Sequence, residues 1–112
     1  MESIQRLDKY DYYNGFLQLL SQKSTIDPNN YDYQTYCERF DSLNTEVFVV
    51  CDYNSWILAT ATFYIDDGNI GHIIDVVVHR DRHQIYYTNL LVDYLTKYAN
   101  SKNCYHILKE NY

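Results

Sequence analysis

The residues of this 112-residue chain that could do chemistry are few and unevenly spread. His79-Arg80-Asp81-Arg82-His83 gathers two arginines and two histidines in a chain whose formal net charge is −6. The cluster falls between the end of a β-branched run, Val76-Val77-Val78, and the start of a helical stripe. Free N–H groups and the helix dipole at such a junction favour an anion, and a solvated charged turn is the plainer alternative. Cys37, Cys51 and Cys104 are odd in number and widely separated, with no CxxC pair. They read as buried thiols in a reducing compartment rather than as disulfides or a zinc site. His79 and His83 are four apart but flank a turn rather than share a clear helix face, so no metal is expected.

Composition narrows the partners. Hydrophobic residues make up 46 % and charged residues 21 %, the balance of one globular domain spanning residues 1–112. No apolar run approaches the ~20 residues of a membrane span, and there is no basic-then-apolar leader, so a cytoplasmic protein without membrane attachment is expected. A net acidic chain lacks the basic surface that phosphate backbones need, so nucleic acid is not an expected partner. The fourteen tyrosines do not alter this, because they are spread along the chain rather than placed as a stacking platform.

The elements that must position these residues follow from periodicity. Ser3–Leu7 reads as a strand, and Asp8 or Asp11 caps a helix running to about Gln22 with Phe16, Leu19 and Leu20 on one face. The only Pro lies in a loop over residues 25–30. Tyr33, Tyr36, Cys37 and Phe40 then form a second helical stripe of the core-packing kind. Glu46–Cys51, Trp56–Tyr64 and Ile70–Val78 are strands joined by the turns Asp52–Ser55 and Asp66–Asn69, with Gly68 expected to supply the positive φ of the second turn. A third helix carries Tyr87, Leu90, Leu91, Tyr94, Leu95 and Tyr98, and Asn103–Leu108 closes the chain as a strand. The order β-α-α-β-β-β-α-β implies an α+β fold: a mixed sheet, part antiparallel meander and part right-handed parallel crossover, with helices on its faces.

Within these elements, Gly71-His72-Ile73-Ile74-Asp75-Val76-Val77-Val78 resembles the G-H-I-E-D-[VI]-[VA]-V strand of glucosamine-6-phosphate N-acetyltransferases. Asn103-Cys104-Tyr105-His106-Ile107 resembles that family's [GN]-C-Y-K-I strand. Asn89-Leu90-Leu91 stands where the family has G-K-L-L. The resemblance runs from Ser3 to Glu110 and implies the fold of the GNAT superfamily, lacking its last helix and strand. It also implies transfer of acetyl from acetyl-CoA, without a metal, to the amine of glucosamine 6-phosphate, a step toward UDP-N-acetylglucosamine. On this resemblance the backbone of Val76, Val77 and Val78 receives the pantetheine arm and polarises the thioester, with Cys104–Ile107 across the slot. The pyrophosphate falls at His83, Gln84, Ile85, Tyr86, Tyr87 and Thr88. Ile74 and Asp75 face the substrate, and Asp75 orients the amine or accepts its proton.

The departures from the family pattern are also physical. Gln84, Tyr86 and Thr88 replace the three glycines of the phosphate loop, and Tyr86 is expected to crowd the ligand. Ile74 replaces a glutamate. The family pattern continues beyond Glu110-Asn111-Tyr112 with a helix that supplies a tyrosine acid. Tyr112 is the residue of this chain that could protonate the leaving thiolate, and an uncovered last strand would favour a homodimer. A GNAT-fold remnant that has lost catalysis, binding CoA weakly or serving as an interaction module, is the competing expectation.

Overall fold

The computed structural model describes residues 2–110, and the sequence-level proposal for Tyr112 lies outside them. Five strands form one sheet in the order β1-β2-β3-β4-β5: β1 (Ser3–Arg6), β2 (Glu46–Cys51), β3 (Ile57–Ile65), β4 (Ile70–Val78) and β5 (His106–Lys109). The first four pair antiparallel and β5 joins β4 in parallel. This is the expected mixed α+β sheet. Helix α3 (Gln84–Ser101) makes the crossover, while α1 (Phe16–Leu20) and α2 (Tyr33–Asp41) come from the segment between β1 and β2.

Strand alternation sorts the core into two layers. Phe48, Val50, Ala61, Phe63 and Ile73 pack with Leu91, Leu95 and Ala99 of α3 on one face. Val49, Cys51, Ile57 and Val77 pack with Phe16, Leu17, Leu19 and Tyr36 on the other. Each fully buried aliphatic side chain contributes roughly 1.5–3 kcal/mol relative to exposure, so a sheet covered on both faces holds this small chain together.

Three local expectations change. The single helix from Asp8 to Gln22 is broken in two, because Gly15 takes φ +88°. A 3-10 turn over Lys9–Asn14 precedes it, closed by a reciprocal cap in which Asp8 accepts from Asp11 N (3.2 Å) and Asp11 accepts from Asp8 N (2.9 Å). Gly15 cannot be replaced cheaply, because a Cβ there would sit 2.5 Å from the Trp56 ring. In the Asp66–Asn69 turn, Asn69 rather than Gly68 carries the positive φ (+61°). Asp66 Oδ1 ties this turn by accepting from Gly68 N (2.9 Å) and Ile70 N (3.0 Å). The third helix starts at Gln84, directly after the charged cluster as expected, because His83 caps it. Finally, Asn103 (φ +60°) ends α3 as a left-handed residue instead of opening β5, which moves that strand to His106–Lys109.

The three thiols are free, but the expectation that all are buried holds for Cys51 alone, since Cys37 and Cys104 are partly exposed. Burial pushes the Cys51 thiol up to about 11, which suits a packing residue and not a nucleophile.

Candidate active site

The site begins with an irregularity in β4. On β3, Thr62 opposes Ile74 and Thr60 opposes Val77, so two steps on β3 face three on β4. The extra residue is at Asp75, whose φ of +53° is in the left-handed region. Such a bulge bends the strand and changes which face later side chains occupy. Ile73 and Val76, three apart, both enter the α3 layer, and Val77 enters the α1–α2 layer. Asp75 itself is exposed and, among the described residues, has no ion pair. A non-glycine residue at positive φ in a strand costs of order 1–3 kcal/mol, a strain that clusters at functional sites.

The β5 ladder stops at the same place. Ile70 opposes His106 and Ile73 opposes Lys109, and Glu110 N donates to Ile73 O (3.1 Å). Among the described residues no strand continues alongside Ile74–Val78 on that side. Val77 pairs with Thr60, and His79 N donates to Leu58 O (2.8 Å). The antiparallel alternation therefore turns the N–H and C=O of Val77 toward β3 and those of Val76 and Val78 toward the open side. This corrects one sequence expectation: Cys104–Ile107 are not across from Val76–Val78, because the register places His106 and Ile107 against Ile70 and Gly71 at the other end of β4.

The open edge is not bare. Lys23 Nζ donates to Val76 O (3.2 Å) and Gln22 Nε2 donates to Val78 O (2.9 Å). Gln22 Oε1 also accepts from Arg80 N (2.9 Å). Both side chains come from the turn after α1, and nothing in their sequence spacing marks them.

A cavity of about 820 Å3 lies beside the bulge. Thr60, Thr62, Tyr64, Ile74 and Asp75 of β3 and β4 contribute to its wall, and Phe16, Leu20, Lys23 and Ile26 contribute from the helical side. Glu110 lines it near the end of β5. Thr60 Oγ1 is engaged with Phe48 O (2.9 Å) and Ser24 Oγ with Leu20 O (3.0 Å), which leaves the hydroxyls of Thr62 and Tyr64, the Lys23 ammonium and two carboxylates as its remaining polar side-chain groups. Ile74 and Asp75 are thus brought together with the cavity, next to Val76 and Val77.

The turn after β4 is arranged differently from a glycine loop. His83 is the N-cap of α3, and its Nδ1 accepts from Tyr86 N (3.0 Å). Gln84 Nε2 closes the turn by donating to His79 O (2.9 Å) and Arg82 O (3.2 Å). Tyr86 is half-exposed and lies edge-on to Tyr87 (centroids 4.9 Å apart), whereas Tyr87 is buried and its hydroxyl donates to Glu2. The Glu2 carboxylate, with burial, pushes the Tyr87 phenol up to about 12. Tyr87 is therefore a packing residue, while His83, Gln84, Ile85 and Tyr86 are exposed and Thr88 is half-buried. Arg80 and Arg82 stand exposed beside them.

A five-stranded mixed sheet with a bulged, partly unpaired fourth strand leading into a capped helix defines a class, and sequence comparison agrees. Residues 11–111 match the family model described as Acetyltransferase (GNAT) family, and the chain belongs to that family. Among solved structures, glucosamine-6-phosphate N-acetyltransferase from Arabidopsis thaliana superposes with a TM-score of 0.86 at 23 % identity, covering 100 % of this chain and 83 % of that one. An acetyltransferase from Trypanosoma brucei gives 0.84 at 21 % identity, covering 100 % and 84 %. A ribosomal-protein-alanine N-acetyltransferase from Brucella melitensis biovar Abortus gives 0.77 at 16 % identity, covering 100 % and 81 %. At these identities the likeness is one of fold. No curated protein matches the chain by sequence. No helix among the described residues is long and apolar enough to cross a membrane.

Proposed function

We propose that this protein transfers an acetyl group from acetyl-CoA to a primary amine seated in the cavity beside Asp75, with glucosamine 6-phosphate the acceptor indicated by the two strand motifs. The observation that carries the reading is the edge of β4 beyond Ile73, where Val76 and Val78 turn backbone groups away from β3 with no strand among the described residues beside them. A thioester arm laid there would pair with that edge as a strand does. An N–H of Val76 or Val78 aimed at the thioester oxygen would stabilise the negative charge that develops on attack. The amine nitrogen attacks the carbonyl carbon, the carbon–sulfur bond breaks, and the amine's proton passes to Asp75. The thiolate leaves and takes up a proton, for which Tyr112 is the proposed donor. Thr62 and Tyr64 offer hydroxyls to a sugar, and Lys23 is the cation of the cavity wall for its phosphate.

The helix start supports this reading less strongly. The His83 ring already holds the Tyr86 amide, and Tyr86 stands on the first turn where the pyrophosphate would rest. That observation favours, as a second reading, a protein that binds CoA weakly without turnover. If crowding is the defect, Tyr86→Gly should tighten acetyl-CoA binding several-fold in a calorimetric titration. Unchanged or weaker affinity would show that the ring is not in the way.

The direct test mixes the protein with acetyl-CoA and glucosamine 6-phosphate and follows release of free thiol. Turnover above the buffer rate is expected. A rise in melting temperature with acetyl-CoA but no turnover would leave the binding remnant, and neither effect would remove both readings.

A further inference from the structure

We infer that Gln22 is a removable latch on the donor groove, an internal substitute for the acyl donor's arm, an inference that rests on the donor-site reading above. The Gln22 amide donates to Val78 O and accepts from Arg80 N, both at 2.9 Å. A neighbouring parallel strand bonds an edge in the same way, donating to the carbonyl of one residue and accepting from the amide two residues on. Lys23 continues the imitation two residues earlier on the same edge, donating to Val76 O at 3.2 Å. Consecutive side chains from the turn after α1 thus occupy both outward carbonyls of the segment that β5 leaves unpaired.

The occupation has a physical reason and a consequence. Val76 and Val78 are buried, and buried carbonyls without partners are costly, so in the free protein the side chains satisfy them. The secondary amides of a pantetheine arm carry the same donor and acceptor pair, so the arm and the latch compete for the same backbone atoms. Binding then requires the 22–23 turn to release β4. Lys23 also lines the acceptor cavity, so its release would reshape the wall beside Asp75 and couple donor binding to the acceptor pocket.

The test uses CoA itself as the probe, titrated calorimetrically into the wild-type protein and Gln22→Ala. Removing the competitor should tighten CoA binding about tenfold, the effect of one to two neutral hydrogen bonds no longer having to be broken. A second readout needs no variant: the side-chain NH2 resonances of Gln22 in the wild-type protein should move toward free-amide positions as CoA saturates. Equal or weaker binding by Gln22→Ala, or Gln22 resonances that stay put while CoA binds, would overturn the latch and leave the donor groove standing. If neither protein binds CoA, the donor-site reading fails and the latch with it.

Discussion

Asp75→Asn is expected to lower the rate of acetyl transfer about 100-fold, the usual order for loss of a positioned proton acceptor, with little change in melting temperature. Asparagine keeps the size of the side chain and, like aspartate, tolerates positive φ better than most residues, so the bulge at φ +53° should survive. What it cannot do is accept a proton from an attacking amine. The deficit should fall on kcat with KM for acetyl-CoA unchanged, because the donor would contact backbone and not this side chain. Asp75→Gly separates geometry from chemistry: glycine relaxes the strained φ and should stabilise the fold while losing activity to the same extent. If Asp75→Asn retains full turnover, Asp75 is only the residue the bulge happened to need.

The largest expected loss of stability is Phe63→Ala, about 4 kcal/mol, which for a chain of this size lowers Tm by roughly 15–20 °C. Phe63 is fully buried in the α3 layer and meets Tyr98 edge-on with centroids 5.6 Å apart. Its ring also sets the identity of Gly71: a Cβ there would come within 3.1 Å of Phe63 and 3.2 Å of Cys104 Sγ. The three residues form one joint where β3, β4 and the segment leading into β5 meet, and alanine at position 63 would leave a void that this joint cannot fill. A thermal or urea denaturation curve reads the effect. A loss under about 1 kcal/mol would mean that the sheet relaxes into the space and that the joint does not hold β5 to β4.

That joint also explains what the strand motifs reported. Gly71 and Cys104 are packing partners, and His72 stacks flat on Tyr64 (4.4 Å) while its Nε2 meets Asp66 (2.8 Å). The Asp66 carboxyl is held below its ordinary range by that histidine. These residues are legible in sequence because packing between neighbouring strands constrains residue type, and they identify the fold more directly than the chemistry. Strand β4 was readable to the residue, since a β-branched run bounded by an Asp-Asp-Gly-Asn turn and a charged cluster leaves little freedom.

Other features depend on distant partners and were not readable in the same way. The break at Gly15 fits beneath Trp56, more than forty residues away in the chain, and the register of β5 depends on Asn103 ending α3 in the left-handed region. The bulge did leave a signal: a lone aspartate in a run of isoleucine and valine, after which the alternation of faces resumes out of step. The Gln22 contact left none, because a glutamine at the end of a short helix is ordinary on every sequence criterion.

The central claim is that β4 is an open edge from Ile74 onward and receives the acyl donor. Backbone amide hydrogen exchange, resolved by residue, tests it most directly. In the free protein the Val76 and Val78 amides should exchange much faster than Val77, which faces β3, and saturating acetyl-CoA should slow both toward the Val77 rate. If Val76 and Val78 are already as protected as Val77, or if acetyl-CoA binds and leaves their exchange unchanged, the donor does not lie on this strand.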